Sequence, residues 1–430
     1  MPDDAELSGV LFSPLTINSV TIANRIVMSP MAALASLPDG RPSEQSLAFL
    51  AERAKGGVGL VILGGTVATR RGYDEAAVKG LLRFDDDRFV SDLKRLTDTV
   101  HVHGTSIFAE LTPGFGTMAK SSPEWPLIAA SPKNVVIRRD RLPTGIISPT
   151  DVVTPVPREA TVDEIHQIEQ DTAMAAVRAQ RAGFDGVEVA AMMSYFLASF
   201  LSPRSNWRTD EYGGDLENRA RILVNIVRLI RERTGPSFPI GLRISANEHV
   251  EGGQGPEGFA AIAQRVHREG LDYVALTDGN YESMDASNAD TPTVAHGEAQ
   301  IFREAVSCPL MIGSVHSHRS AARAISEGRA DAVMIARQLL ADPEYANKIR
   351  DGRTHEIVQC DHNNVCMRRL ALGMAIRCSL NPRMGRESRQ PGERPPIDRI
   401  IKAPIEQAVL AATGSQRLMN LVGNLPRKRR

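Results

Sequence analysis

The chain has 430 residues, 42% of them hydrophobic and 24% charged, which is the mix of a globular protein with material for a large core. Its 51 basic and 51 acidic residues balance, so no net field draws it to nucleic acid or to an anionic membrane. No apolar run reaches the roughly 18 residues of a membrane span, and the opening MPDDAELSG lacks the basic and apolar regions of a signal peptide. A cytoplasmic location is therefore expected. Four cysteines are too few for a disulfide scaffold. Three of them, Cys360, Cys366 and Cys378, stand close together, which in a reducing compartment points to metal.

Taken in chain order, eight short apolar runs rich in β-branched residues predict strands. They cover residues 23–31, 57–66, 105–112, 183–191, 238–246, 271–278, 309–315 and 330–337. The runs are nearly continuous rather than alternating, the signature of strands buried on both faces of a parallel sheet. Helical spacing separates them over 86–103, 161–182, 215–234, 255–269 and 317–328. The second of these opens on Thr161 with Glu164 three residues later, a capping box. Gly104, Gly183, Gly235, Gly270 and Gly328 stand where helices should stop. Eight strands alternating with helices predict an α/β fold closed as a (β/α)8 TIM barrel. A doubly wound sheet is the alternative, weakened because no G-x-G-x-x-G directly closes a strand. Length alone would allow about three domains, but one barrel with insertions can take most of it.

Three regions fall outside the repeat. Residues 113–160 and 192–214 follow the third and fourth strands, on the face where barrel active sites are built. Residues 351–430 follow a barrel spanning 1–350 and form a cysteine-containing C-terminal extension. Its basic end, PRKRR, reads as a solvated tail. At the strand ends, Arg243 closes the fifth, Gly313 and Ser314 the seventh, and Arg337 the eighth. Backbone N–H groups at Gly313 and Ser314 with the Arg337 guanidinium would suit a phosphate; pairing of Arg337 with a surface carboxylate is the alternative.

The segments LFSPLTINSVTIANRIVMSPM, FLAERAKGGVGLVILGGT, AGFDGVEV, FLSPRSNWRTDEYGGDLENRARI and CSLNPRMGRE carry a resemblance. The chain resembles the Old Yellow Enzyme family of flavin oxidoreductases over about residues 10–385. It is most similar to the long branch with 2,4-dienoyl-CoA reductase and trimethylamine dehydrogenase. The resemblance implies an FMN-binding barrel. It implies that Pro30, Met31, Ala32 and Gly65 line the flavin ring, that Glu110 takes a place often held by Gln at the pyrimidine edge, and that Arg243 lies near the N1–C2=O region. It assigns the phosphate to Gly313, Ser314, Ala336 and Arg337, with Ala336 where the family usually has Gly.

The main departure follows the fourth strand, which reads EVAAMMSYF. Family reductases place two hydrogen-bond donors there for the substrate carbonyl. Ala190 and Met193 hold those positions and cannot donate. Tyr195, the family's proton donor, remains; the alternative is a Tyr packed for its ring alone. Asp278 ends the sixth strand as an acid/base or cation partner, or as a loop-capping Asp. The long branch holds a [4Fe-4S] cluster on four cysteines. Here Cys360, Cys366 and Cys378 match and Asn363 stands at the second position, leaving a [4Fe-4S] or [3Fe-4S] cluster, or remnant core cysteines, as the readings. Cys308 reads as a small apolar residue.

Long family members add reductase domains after this point, so electrons are expected from NAD(P)H or a separate donor or acceptor protein. The leading expectation is an FMN-dependent oxidoreductase. It would move a hydride between flavin N5 and an alkene-, amine- or alicyclic-type small molecule, as a homo- or hetero-oligomer. A catalytically degenerate FMN-binding scaffold subunit is the second reading.

Overall fold

All eight apolar runs become strands. A computed structural model describes residues 9–287, 297–315, 317–390, 397–415 and 418–419. The strands are β1 (Ile26–Met28), β2 (Leu60–Leu63), β3 (Ser106–Leu111), β4 (Gly186–Ala191), β5 (Ile240–Ser245), β6 (Tyr273–Thr277), β7 (Leu310–Ile312) and β8 (Ala332–Ile335). Each pairs in parallel with the next, and β8 pairs with β1, so the sheet closes as a barrel. The doubly wound alternative is thereby excluded.

The helices around it are α1 (Glu44–Lys55), α2 (Val90–His101), α3 (Val162–Arg181), α4 (Leu216–Thr234), α5 (Pro256–His267), α6 (Glu298–Ala305) and α7 (His318–Ser326). After β8 come α8 (Arg337–Ala341), α9 (Tyr345–Arg350), α10 (Val365–Ala371) and α11 (Ile397–Thr413). The capping box on α3 forms as its spacing predicts: Thr161 Oγ1 accepts from the Glu164 N–H, and the Glu164 carboxylate accepts from the Thr161 N–H. Gly104, Gly183, Gly235, Gly270 and Gly328 all have positive φ, the backbone that lets a helix turn into the next strand. Helices α1 and α6 have no counterpart among the predicted elements.

Side-chain parity divides the core in two. Odd positions of β4, such as Val187 and Val189, pack outward against the helices. Val27, Leu60, Ile62, Phe108, Tyr273, Ala275, Met311, Ala332 and Met334 fill the lumen. A hairpin of Leu15–Ile17 and Val20–Ile22 joins this cluster through the buried Ile17 and Ile22 and plugs the bottom. The lumen has one steric requirement that sequence alone hides. A β-carbon at Gly241 would overlap the Tyr273 ring, so the ring lies flat where β5 has no side chain.

Three details differ from expectation. Arg243 sits inside β5 rather than at its end, so its side chain points into the lumen. Arg337 opens α8 rather than closing β8. The 113–160 insertion contains short pairings, Val136–Ile137 with Val152–Val153 and Ile128–Ala129 with Arg158–Glu159. The PRKRR end lies outside the described residues. Among the described residues no helix is long and apolar enough to cross a membrane.

Candidate active site

Toward the C-terminal end of the barrel the lumen changes from apolar to polar. Glu110 on β3 pairs in register with Glu188 on β4, and Ala190 pairs with Arg243 on β5. Arg243 Nη1 lies 3.7 Å from Glu110 Oε2 and 3.4 Å from Ser29 Oγ, beside Pro30. Glu110 Oε2, Arg243 Nε and both Glu188 oxygens are buried without hydrogen-bond partners. Orphaned polar atoms of that kind are costly unless a further group meets them. Burial pushes the Glu110 carboxyl above the usual carboxylate range, and Arg243 opposes the shift. Glu188 is driven upward by the same cause. One guanidinium thus faces two carboxyls that resist joint ionisation. A protonated Glu110 can donate as well as accept, as a Gln amide does.

The first two strands end in close backbone contact. A β-carbon at Gly65 would stand 2.9 Å from Ala32 Cα, and one at Gly64 would stand 2.5 Å from the Met31 nitrogen. Pro30, Met31, Ala32 and Gly65 therefore form one shallow wall. Next to it in the barrel, β7 and β8 are paired through Met311 with Ala332 and Ile312 with Val333, and Gly313 and Ser314 follow the one strand as Ala336 and Arg337 follow the other. A β-carbon at Gly313 would meet only Leu276 O, at 3.5 Å, so the space above it is open. Arg337 Nη1 donates to Asn364 Oδ1 at 2.9 Å and ties this end to the cysteine arm.

Tyr195 follows β4 after Met193 and Ser194, both at φ 57°, a left-handed turn that non-glycine residues adopt at a cost. Its ring stacks edge-on to Phe115 at 5.1 Å, and its hydroxyl lies 3.1 Å from that of Tyr281. Burial holds the Tyr195 phenol well above its ordinary pKa, with the Tyr281 hydroxyl second. The phenol therefore keeps its proton. Ala190 is fully buried and faces the lumen without a polar atom. Asp278, just beyond β6, accepts from the Gly279 N–H at 3.1 Å and lies 2.8 Å from His249 Nε2.

Two supporting residues escaped the sequence reading. Glu75, after β2, accepts the Phe115 N–H at 2.9 Å and so fixes the ring that braces Tyr195. Burial raises its carboxyl to about 7. Glu188 sits in the motif GVEV, where nothing marks it apart from a surface Glu until the strand parity turns it inward. Tyr281 was visible only as a neighbour of Asp278.

The family described as NADH:flavin oxidoreductase / NADH oxidase matches residues 10–356. The chain belongs to that family. The NADH oxidase of Thermoanaerobacter brockii is 34% identical over 424 residues, covering 94% of this chain and 59% of that protein. The NADPH dehydrogenase of Bacillus velezensis is 32% identical over 81% of this chain and 96% of that enzyme. Among solved structures, a 2-naphthoyl-CoA reductase complex superposes with a TM-score of 0.79 at 27% identity, covering 89% of this chain and 58% of that one. The chain thus spans little more than half the length of its long relatives. That family, the Old Yellow Enzyme family, consists of FMN-dependent oxidoreductases.

The residues fit FMN. Arg243 Nε and Glu110 Oε2, buried without hydrogen-bond partners, offer a charged and a polar contact, Gly64 and Gly65 let the β1 and β2 ends approach closely, and Gly313 leaves room. The cysteine arm is less complete. Cys360, Cys366 and Cys378 are free and partly buried. Asn363 spends its amide locally: Nδ2 donates to Asp361 Oδ2 at 2.8 Å and Ser379 Oγ at 2.7 Å, while Oδ1 accepts from the Val365 N–H at 3.0 Å. Cys308 is buried with its thiol pushed up to about 12, consistent with a small apolar residue.

Proposed function

We propose that this flavoenzyme moves a hydride between FMN and an alkene-, amine- or alicyclic-type substrate, with Tyr195 delivering or accepting the coupled proton. FMN, when bound, supplies the hydride chemistry; the chain's own residues position it and handle the proton. Pro30, Met31, Ala32 and Gly65 would line the ring, and Glu110 and Arg243 its polar edge. A fixed guanidinium there favours the added negative charge of the reduced state. Gly313, Ser314, Ala336 and Arg337 would hold the phosphate.

The observation that carries the proposal is the pairing of a proton-retaining Tyr195 with an apolar Ala190 at the mouth of the lumen. Loss of a carbonyl donor costs about 10²–10³ in rate for substrates that build an oxyanion. Substrates without that demand suit this floor better. Asp278 serves the same face as an acid/base group or as the partner of a cation. NAD(P)H or a separate redox protein would exchange electrons at the flavin. On the arm, Cys360, Cys366 and Cys378 would hold a [3Fe-4S] cluster, or a [4Fe-4S] cluster whose fourth iron takes a non-cysteine ligand.

Tyr195→Phe tests the proton role. Turnover with an alkene substrate should fall by about 10²-fold, within the range for lost general-acid catalysis, while flavin content and flavin reduction by NAD(P)H stay unchanged. Unchanged turnover would remove Tyr195 from the chemistry.

A further inference from the structure

We infer that His249, Asp278 and Glu298 form a binding site for one divalent transition-metal ion on the catalytic face. The three come from separate elements: the loop after β5, the C-terminal end of β6 and the first residue of α6. One donor atom from each lies within 4.8 Å of the other two. An imidazole nitrogen and two carboxylate oxygens at that spacing can close around a single cation at bonds of roughly 2.0–2.2 Å after small side-chain movements.

A second observation points to a ligand. Glu298 is only 3% exposed, and its Oε2 has no hydrogen-bond partner. A buried carboxylate oxygen left bare is expensive unless a cation completes it. Neighbouring contacts hold the donors in place. Arg141 Nη1 donates to the His249 carbonyl at 2.8 Å and pairs with Asp285 at 2.9 Å, which pins the loop that carries the imidazole. Asp278 Oδ1 takes the Gly279 N–H, which leaves its other oxygen for coordination. On ion binding, Nε2 gives up its proton or the ring shifts to the Nδ1–H tautomer, and the His249–Asp278 hydrogen bond is exchanged for two metal bonds.

The donor set selects the ion class. One nitrogen with two carboxylates suits Mn²⁺, Fe²⁺, Co²⁺ or Zn²⁺ better than Mg²⁺ or Ca²⁺, which prefer oxygen alone. Three protein ligands leave coordination positions open toward the cleft, as in metal sites that meet a substrate or water. The ion would also tie the β5 and β6 loops to α6.

Mn²⁺ is the probe of choice, because thiolates of the cysteine arm bind this harder ion poorly. The FMN-loaded full chain is titrated with Mn²⁺, and loss of the free-ion EPR signal is read. About one tight site per chain is expected, weakened at least tenfold in Glu298→Gln and in His249→Ala but not in the exposed control Glu257→Gln, with flavin content equal in all. Absence of uptake up to about 1 mM Mn²⁺ would overturn the site, as would uptake that Glu298→Gln and His249→Ala leave unchanged. The readout needs no turnover, so it stands or falls apart from the proposed reaction.

Discussion

At the scale of single residues, the environment decides what each acid does. Glu75 and Glu164 have the same side chain and opposite fates. Arg158 beside Glu164, with the Thr161 N–H, holds that carboxyl down at about 2 and makes it a helix cap. Burial raises Glu75 to about 7, with Arg71 3.6 Å away opposing the shift. A folded-state pKa above the unfolded value means stability that is complete in acid and lost as pH rises through 7. Glu75→Gln keeps the acceptor for the Phe115 N–H and removes the titration. The variant should gain on wild type by up to about 3 kcal/mol between pH 5 and pH 8, read from denaturant midpoints. A difference independent of pH would show that Glu75 does not titrate there. Residues of this kind were illegible in the sequence. Glu75 is buried only where the loops after β2 and β3 meet, and His249, Asp278 and Glu298 converge only once the barrel closes.

Among the elements, periodicity carried most of the information. All eight strands and the helices α2, α3, α4, α5 and α7 follow from apolar spacing, caps and terminal glycines. Helix α1 was hidden inside a segment read for its resemblance, and α6 follows a stretch with no regular apolar pattern. The docking of the extension was equally hidden. Fully buried Arg53 on α1 lies over the Phe49 ring at 3.8 Å and pairs with Glu387 at 3.3 Å, and its Nη2 lies 3.0 Å from Met384 Sδ. Burial lowers the Arg53 guanidinium to about 10. Breaking a buried pair from one side leaves a bare charge, at a cost of about 3–5 kcal/mol. Glu387→Ala should lower the unfolding free energy by that amount in denaturant titrations, whereas Asp98→Ala, which breaks the exposed Lys94–Asp98 pair, should hardly move it. Equal shifts would mean that the arm contributes little to the barrel's stability.

For the whole molecule, length and neutral charge said little until the strand count was made. The balanced total hides a local asymmetry: one guanidinium, Arg243, faces two buried carboxyls inside the barrel. The barrel was readable because strand periodicity and the SPRSNWRTDEYGGDLENR segment are both strong signals, whereas Glu188 in its lumen was not. The cysteine arm was only half readable, since the spacing of three cysteines is visible but the contacts of Asn363 at the second position depend on how the arm folds. The central claim is that this lumen holds FMN and passes electrons through it. The most direct test is the visible spectrum of the purified chain, followed anaerobically during addition of NADPH or NADH. About one FMN per chain is predicted, with a band near ~450 nm that bleaches on reduction and returns when an alkene or other acceptor is added. A colourless protein that takes up no FMN on reconstitution would contradict the account.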